Sequence, residues 1–132
     1  MIGYVTIGTN DLERACAFYD ELFAVVGAKR LLELKLDQRG MTHYGVSMKR
    51  PLVSITRPYN GEPADPGNGN MIALVMDSNE QVDAFHAKAL ELGATNEGDP
   101  GLRGDPKFGW YFGYFRDLDG NKFAAFHLSP QS

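Results

Sequence analysis

Residues 4–28, YVTIGTNDLERACAFYDELFAVVGA, decide the fold, because their pattern returns in residues 71–94 as MIALVMDSNEQVDAFHAKALELGA. In each stretch a short strand-like run is followed by an amphipathic segment and then by a Gly-Ala pair. The Ala17-Phe18 pair of the first segment recurs about 67 positions later as Ala84-Phe85. This repeat predicts two supersecondary units that share a core, and the seam between them is a natural place for a ligand.

Both amphipathic segments predict a helix, because their apolar residues recur at three- and four-residue spacing. The first helix is expected to begin after Asn10 or Asp11 and to stop at Gly27; the second is expected to begin after Ser78 and to stop at Gly93. The predicted buried faces comprise Leu12, Ala15, Cys16, Tyr19, Leu22, Phe23 and Val26 in the first helix, and Val82, Phe85, Ala89 and Leu92 in the second.

Each predicted helix precedes three runs of β character. They cover residues 28–36, 41–48 and 52–56 in the first half, and residues 94–96, 110–116 and 122–128 in the second. The last two runs flank an Asp-Gly dipeptide, which is a strong hairpin-turn signal. The predicted class is therefore α+β, with two βαβββ modules forming a cupped mixed sheet.

The modules are expected to form a single domain over residues 1–132. Module one covers about 1–57, module two covers about 71–132, and a Pro- and Gly-rich linker spans 58–70. A second loop is predicted over 99–109. It is interpreted either as a cover over a pocket or as a solvated hairpin connection.

Composition excludes several classes of protein. The net charge of −4 comes from interspersed charges, without the basic stripe that nucleic acid selects. No apolar run approaches the ~20 residues of a membrane span, and no secretory signal pattern is present. The single cysteine, Cys16, is expected to be a small buried side chain. We therefore expect a cytoplasmic protein with no nucleic-acid or membrane partner.

The ordered motifs resemble the vicinal oxygen chelate superfamily, which includes glyoxalases, extradiol dioxygenases, and bleomycin- and fosfomycin-resistance proteins. The resemblance covers nearly the whole chain, and it implies the glyoxalase-like fold and a homodimer. Its carriers are residues 4–7 with 11–14 and Phe18-Tyr19, the linker end 67–70, the helical segment 82–85 and the closing stretch 116–121.

In metal enzymes of this superfamily, the first and last strands of each module supply His or carboxylate ligands to a divalent ion. The resemblance places those ligand positions on Tyr4, Ser54, Met71 and Ala124, with the Ser54 alignment open by one residue. None of these side chains is a good ligand for such an ion. His43, His86 and His127 share no metal-binding spacing, so we expect neither a family-type metal site nor a cofactor.

With no metal ligands, the expected site is an apolar pocket with hydroxyl groups at its edge. Strand alternation directs one set of side chains toward this pocket, and the aromatic residues near the chain end are candidates for stacking on a planar ligand. Arg103, Arg116 or Arg57 would supply a charge. The predicted ligand-binding residues are Tyr4, Thr6, Ser54, Met71, Arg103, Trp110, Tyr111, Tyr114, Ala124 and Phe126.

The leading functional hypothesis is a metal-independent protein that binds a small organic ligand, of the sequestering type found in antibiotic resistance. The alternatives are a glyoxalase-like lyase or dioxygenase-type enzyme with a rebuilt metal site, a metal-free isomerase, and an interaction module whose pocket has filled. No general base is placed by the sequence, and Tyr4 alone is a poor base because phenols titrate near ~10.

Overall fold

The computed structural model of the protein describes residues 1–35 and 39–129, which fall into two compact units. The first unit is Met1–Pro66, and the second begins at Gly67. Each contains one helix and one four-stranded mixed sheet, which confirms the α+β class and the duplicated order of elements. In the described part of the chain, neither helix is long and apolar enough to cross a membrane.

The first unit runs β1 (Tyr4–Gly8), α1 (Leu12–Ala24), β2 (Lys29–Leu34), β3 (Met41–Gly45) and β4 (Leu52–Thr56). Its sheet has the order β1-β4-β3-β2, with β1 parallel to β4 and the other pairs antiparallel. The predicted second strand extended to Leu36, which lies outside the described residues.

The second unit repeats this arrangement with β5 (Ile72–Val75), α2 (Asn79–Glu91), β6 (Thr95–Leu102), β7 (Trp110–Arg116) and β8 (Lys122–Leu128). Its sheet has the order β5-β8-β7-β6, and β5 is parallel to β8. A short 3-10 turn over Pro106–Phe108 precedes β7. Strand β4 of the first sheet and strand β8 of the second therefore hold equivalent places.

Both helices begin at caps that the sequence indicates. The Asp11 side chain accepts a hydrogen bond from the Arg14 backbone N–H, and the Ser78 side chain accepts one from that of Gln81. Each bond satisfies one of the backbone donors that a helix leaves unpaired at its start. Asp11 rather than Asn10 is thus the first cap.

The strand before Arg103 is longer than predicted. The sequence favoured a short strand at 94–96 and a loop from Asp99 to Gly109, because Gly, Asp and Pro are concentrated there. The structure instead pairs β6 with β7 as far as Leu102, with register shifts around Gly98 and before Gly101. Bulges absorb residues that would interrupt a regular ladder, so the predicted loop is partly strand.

The cores of the units lie between helix and sheet. In the first unit Tyr19, Phe23 and Tyr44 pack with ring centroids 4.9–6.1 Å apart. In the second unit Phe115 lies 6.0 Å from Phe85 of the helix and 5.5 Å from Phe123. Because alternate strand residues face opposite sides, the remaining strand side chains lie on the sheet face turned away from the helix.

Candidate functional site

The second unit carries a row of aromatic side chains on the sheet face turned away from α2. Phe112 of β7 stacks with Phe126 of β8 at 5.1 Å between ring centroids, and with Tyr114 at 5.9 Å. Strand alternation places Trp110 on the same face. We call Trp110, Phe112, Tyr114 and Phe126 the aromatic face. The rings of Phe112, Tyr114 and Phe126 are partly exposed, and the Trp110 side chain is 45% exposed.

Two cations lie against one ring of the aromatic face. The Arg103 guanidinium lies 5.6 Å from the Tyr114 ring centroid, and the Lys122 ammonium lies 5.7 Å from it. Arg103 is held in place because its Nη2 donates to the Asp99 carbonyl oxygen at 2.7 Å. A flat aromatic surface therefore has the positive charges of Arg103 and Lys122 at its margin.

Trp110 extends the surface toward the end of the sheet. Its ring stacks with Phe108 at 5.3 Å, and its strand position is paired with Leu128. It is the single tryptophan of the protein. Its fluorescence therefore reports on this region alone.

Ala124 and Met71 occupy the other predicted positions of the second unit. Ala124 is completely buried and is paired with Tyr114 on one side and with Ala73 on the other. Its methyl group is small, which leaves the larger neighbouring rings to form the surface. Met71 precedes β5 and is 43% exposed.

Tyr111 does not lie on the aromatic face. Its hydroxyl donates a hydrogen bond of 2.6 Å to Asp83, which belongs to α2, so the side chain lies on the helix side of β7. This bond, more than desolvation, raises the pKa of Tyr111. The prediction that grouped Tyr111 with Tyr114 is wrong in placement, because neighbouring strand residues face opposite sides.

The first unit brings the other predicted residues into a polar cluster. Ser54 of β4 is paired with Thr6 of β1 and with His43 of β3, and its hydroxyl lies 2.5 Å from His43 Nδ1. Tyr4 stands edge-on to the His43 ring at 5.4 Å between centroids. Ser54 is fully buried and His43 nearly so, whereas Tyr4 is 56% exposed. Tyr4 and Thr6 are thus the accessible members of this cluster.

Sequence reasoning passed over three of these residues. His43 was not among the predicted site residues because the three histidines share no metal-binding spacing, and neither Phe112 nor Lys122 was among them. The alternation that selects Trp110 and Tyr114 also selects Phe112. His43 could have been found from the antiparallel pairing of β3 with β4, which brings it next to Ser54. The sequence does not fix the register of that pairing.

The residues at the four metal-ligand positions of the resemblance do not fit a divalent cation. Tyr4, Ser54, Met71 and Ala124 offer a phenol, a hydroxyl, a thioether and a methyl group, whereas such sites use imidazole, thiolate or carboxylate donors. In residues 1–35 and 39–129, no three His, Cys, Asp or Glu side chains are grouped to hold a metal ion. His43 adjoins Ser54, but its Nδ1 is already engaged by the hydroxyl.

Comparison with known proteins places this geometry in a family. A family model described as Glyoxalase/Bleomycin resistance protein/Dioxygenase superfamily matches residues 1–125. A glyoxalase/bleomycin resistance protein from Albidiferax ferrireducens T118 is 37% identical, with a TM-score of 0.82 over 98% of this chain and 99% of that one. Among curated proteins, none matches the sequence at a significant level.

More distant structures share the fold. A glyoxylase/bleomycin resistance protein/dioxygenase domain from Frankia sp. EAN1pec is 17% identical, with a TM-score of 0.76 over 98% of each chain. Glyoxalase I from Zea mays is 20% identical, with a TM-score of 0.75 over 99% of this chain and 45% of the maize chain. By the extent of the family match, the chain belongs to the Glyoxalase/Bleomycin resistance protein/Dioxygenase superfamily.

Proposed function

We propose that this protein binds a small planar aromatic or largely apolar molecule on the aromatic face, without a metal ion, and that it sequesters that molecule. The observation that carries the proposal is the stack of Phe112, Tyr114 and Phe126 with the Arg103 cation against it. Superfamily membership is compatible with this role, since the family name includes resistance proteins.

The energetics favour a flat ligand. Each aromatic pair in offset or edge-on geometry contributes about 0.5–1.5 kcal/mol beyond the burial of its area. A ligand that covers two or three rings therefore gains several such contributions. The fixed charge of Arg103 also favours electron-rich or acidic substituents on the ligand.

The aromatic face can be tested through Trp110. A panel of planar aromatic compounds, beginning with 2-naphthol and 2-naphthoate, would be titrated while tryptophan fluorescence is followed. Tyr114→Leu removes one ring of the face and keeps an apolar side chain, so we expect its affinity for a bound compound to fall about tenfold. Tyr111→Leu makes the same chemical change on the helix side and is expected to leave affinity nearly unchanged.

Equal losses in the two tyrosine variants would contradict the proposal, because they would indicate a general loss of stability rather than a lost stacking partner. Far-ultraviolet circular dichroism and Tm of each variant separate these outcomes. A panel in which no compound gives a saturable signal would also count against it.

Metal independence has its own test. The donor chemistry at Tyr4, Ser54, Met71 and Ala124 supports it. We expect elemental analysis of the purified protein to find no stoichiometric transition metal, and Tm to be unchanged by added nickel, zinc, manganese or iron. A stoichiometric metal, or a clear metal-dependent rise in Tm, would shift the assignment toward a lyase or dioxygenase-type enzyme.

A metal-free enzyme is the second candidate, and the His43 contact favours it. Imidazole is a common general base, and the contact with the Ser54 hydroxyl holds this one in a fixed orientation. Tyr4 would then be the accessible group that meets a substrate. Saturable turnover of a bound compound, abolished by Tyr4→Phe and by His43→Gln, would favour this enzyme over a sequestering protein.

A further inference from the structure

The first unit carries a cavity of about 370 Å³ that is open to solvent and is lined by none of the residues of the aromatic face. It lies where β1 and β4 end, and it is bounded by Thr9, the start of the segment after β4, and two arginines, Arg39 and Arg57. Small-molecule sites typically have volumes of ~300–1,000 Å³. The cavity is therefore large enough for a compact organic molecule.

Arg39 is the distinctive group of this cavity. Its Nε is buried and has no hydrogen-bond partner among residues 1–35 and 39–129. Its guanidinium also lies 5.1 Å from the ring centroid of Tyr59. An unsatisfied buried donor is costly, and the cost is greater for a charged group. A ligand in the cavity would reach this nitrogen after the guanidinium turns toward it, and the hydrogen bond then formed would remove that cost.

Arg57 brings a second positive charge to the same cavity. Its Nη1 donates to the Arg39 carbonyl oxygen at 3.2 Å, which links the two arginine-bearing segments. The Thr56 hydroxyl donates to the Gly40 carbonyl oxygen at 2.9 Å and fixes the same turn. Among the lining residues that the structure describes, Glu62 is the one acidic side chain, so this described part of the lining carries a net positive charge.

The Asn10 side of the cavity is held in place by a hydrogen bond within the first unit. The Ala64 N–H donates to the Asn10 side-chain oxygen at 2.6 Å, which ties the segment after β4 to the loop before α1. Gly8 permits this approach, since a Cβ there would lie 3.1 Å from the Ala64 Cβ. A preformed wall lowers the ordering cost of binding.

We propose that this cavity binds a small organic carboxylate with an apolar body. A guanidinium presents planar, forked donors that match the two oxygens of a carboxylate. The Tyr59 ring with Pro58 and Pro63 provides apolar walls for the rest of the molecule. A phosphate ester shares the oxyanion chemistry, and the experiment distinguishes it from a carboxylate.

The test uses sodium cyclohexanecarboxylate and sodium phosphate, titrated at constant ionic strength against sodium chloride. The readout is the nuclear magnetic resonance signal of the Arg39 Nε–H, with affinity measured in parallel by calorimetry. We expect a saturable shift of this signal. Arg39→Gln is expected to weaken binding about tenfold or more, because hydrogen bonds to charged groups are among the stronger ones.

Arg57→Gln should weaken binding by a smaller factor. The matched control is Arg50→Gln, which removes the same charge from an exposed residue of the same unit outside the cavity lining. Arg39→Lys keeps the charge but loses the fork, and it provides a second variant if Arg39→Gln folds poorly. Tyr114→Leu should bind the carboxylate normally, which separates this site from the aromatic face.

Saturation by cyclohexanecarboxylate alone supports a carboxylate site, and saturation by both anions supports a broader oxyanion site. Two results would overturn the proposal. One is the absence of saturable binding by either anion. The other is equal weakening by Arg39→Gln and Arg50→Gln, which would mean that the anions respond only to overall charge.

Discussion

The two units place different side chains at equivalent positions of their two sheets, which share one strand order. In the first unit the central-strand residue Ser54 is paired with His43, and the two make a short polar contact. In the second unit the corresponding residue Ala124 is paired with Tyr114, whose ring belongs to the aromatic face. One backbone arrangement thus supports a hydroxyl–imidazole pair in one copy and an aromatic surface in the other.

The helix sides of the sheets differ in the same way. The Tyr44 hydroxyl of the first unit donates a hydrogen bond of 2.8 Å to the Asp20 carboxylate. The same carboxylate accepts two hydrogen bonds of 2.7 Å from Arg30. The counterpart of Tyr44 in the second unit is Phe115, which packs between aromatic rings. The fold therefore fixes which positions are in contact. The first unit stabilises this contact by hydrogen bonds, and the second stabilises it by aromatic packing.

The aromatic core of the second unit should give the largest effect. Phe115 is fully buried, and Phe115→Ala removes its stacking and leaves a cavity. We expect unfolding free energy to fall by about 3–5 kcal/mol in urea titrations. A loss under about 1 kcal/mol would mean that the core repacks around the smaller side chain, which would contradict the close packing of Phe115 against Phe85 and Phe123.

The Ser54–His43 pair is the next test. Ser54→Ala gives the first unit the residue found at position 124 and leaves a nearly buried imidazole without its partner. We expect a loss of about 1–3 kcal/mol. In a His43→Leu background the same change should cost much less, and equal costs in both backgrounds would show that the contact is not responsible.

The Asp20 network predicts a smaller, pH-dependent effect. The hydrogen bonds from Arg30 hold the pKa of Asp20 below its ordinary value, so the folded state binds its proton less readily than the unfolded state. This contribution to stability is present above the unfolded pKa of ~3.9 and is lost as pH falls through the lower folded pKa. Asp20→Asn should therefore flatten the decline in Tm below about pH 5, relative to the parent protein.

The control for that measurement is Asp83→Asn, the helix aspartate of the second unit. Its partner is a tyrosine rather than an arginine. The two variants have the same change in charge, so an identical flattening in both would assign the acid effect to overall charge.

The Tyr111–Asp83 hydrogen bond predicts the smallest effect, which is a change in Tm at alkaline pH. The pKa of Tyr111 is raised, so its contribution is present below the unfolded pKa of ~10 and is lost as pH rises toward the folded pKa. Tyr111→Phe should slightly reduce the decline of Tm above about pH 9. Tyr44, whose pKa is raised by burial and by the Asp20 bond, should continue to drive most of that decline.

Much of the fold was predictable because its signals are local. The caps at Asp11 and Ser78 depend on residues only three positions apart, and the helical faces depend on spacing within one segment. The length of β6 was not predicted because its irregular part is stabilised by pairing with β7. A glycine-rich sequence gives no local signal for such pairing.

The candidate site was predicted less well. Alternation correctly indicates that Tyr114 and Phe126 can share a surface, but it was not applied to exclude Tyr111. The Ser54–His43 contact depends on the register between two strands. The cavity of the first unit depends on the segment before β3 meeting the segment after β4, where Arg39 contacts Tyr59. Neither arrangement has a sequence motif.

The sequence by itself determined the family, the duplicated order of strands and helices, and the caps of both helices. These follow from residue identity and short-range periodicity, which need no knowledge of distant contacts. Tertiary structure alone decided which side chains meet: His43 with Ser54, the rings of Phe112 and Phe126, and the guanidinium of Arg39 with Tyr59. The reason is that each meeting is made by strand pairing or chain reversal between segments whose separation along the chain carries no pattern.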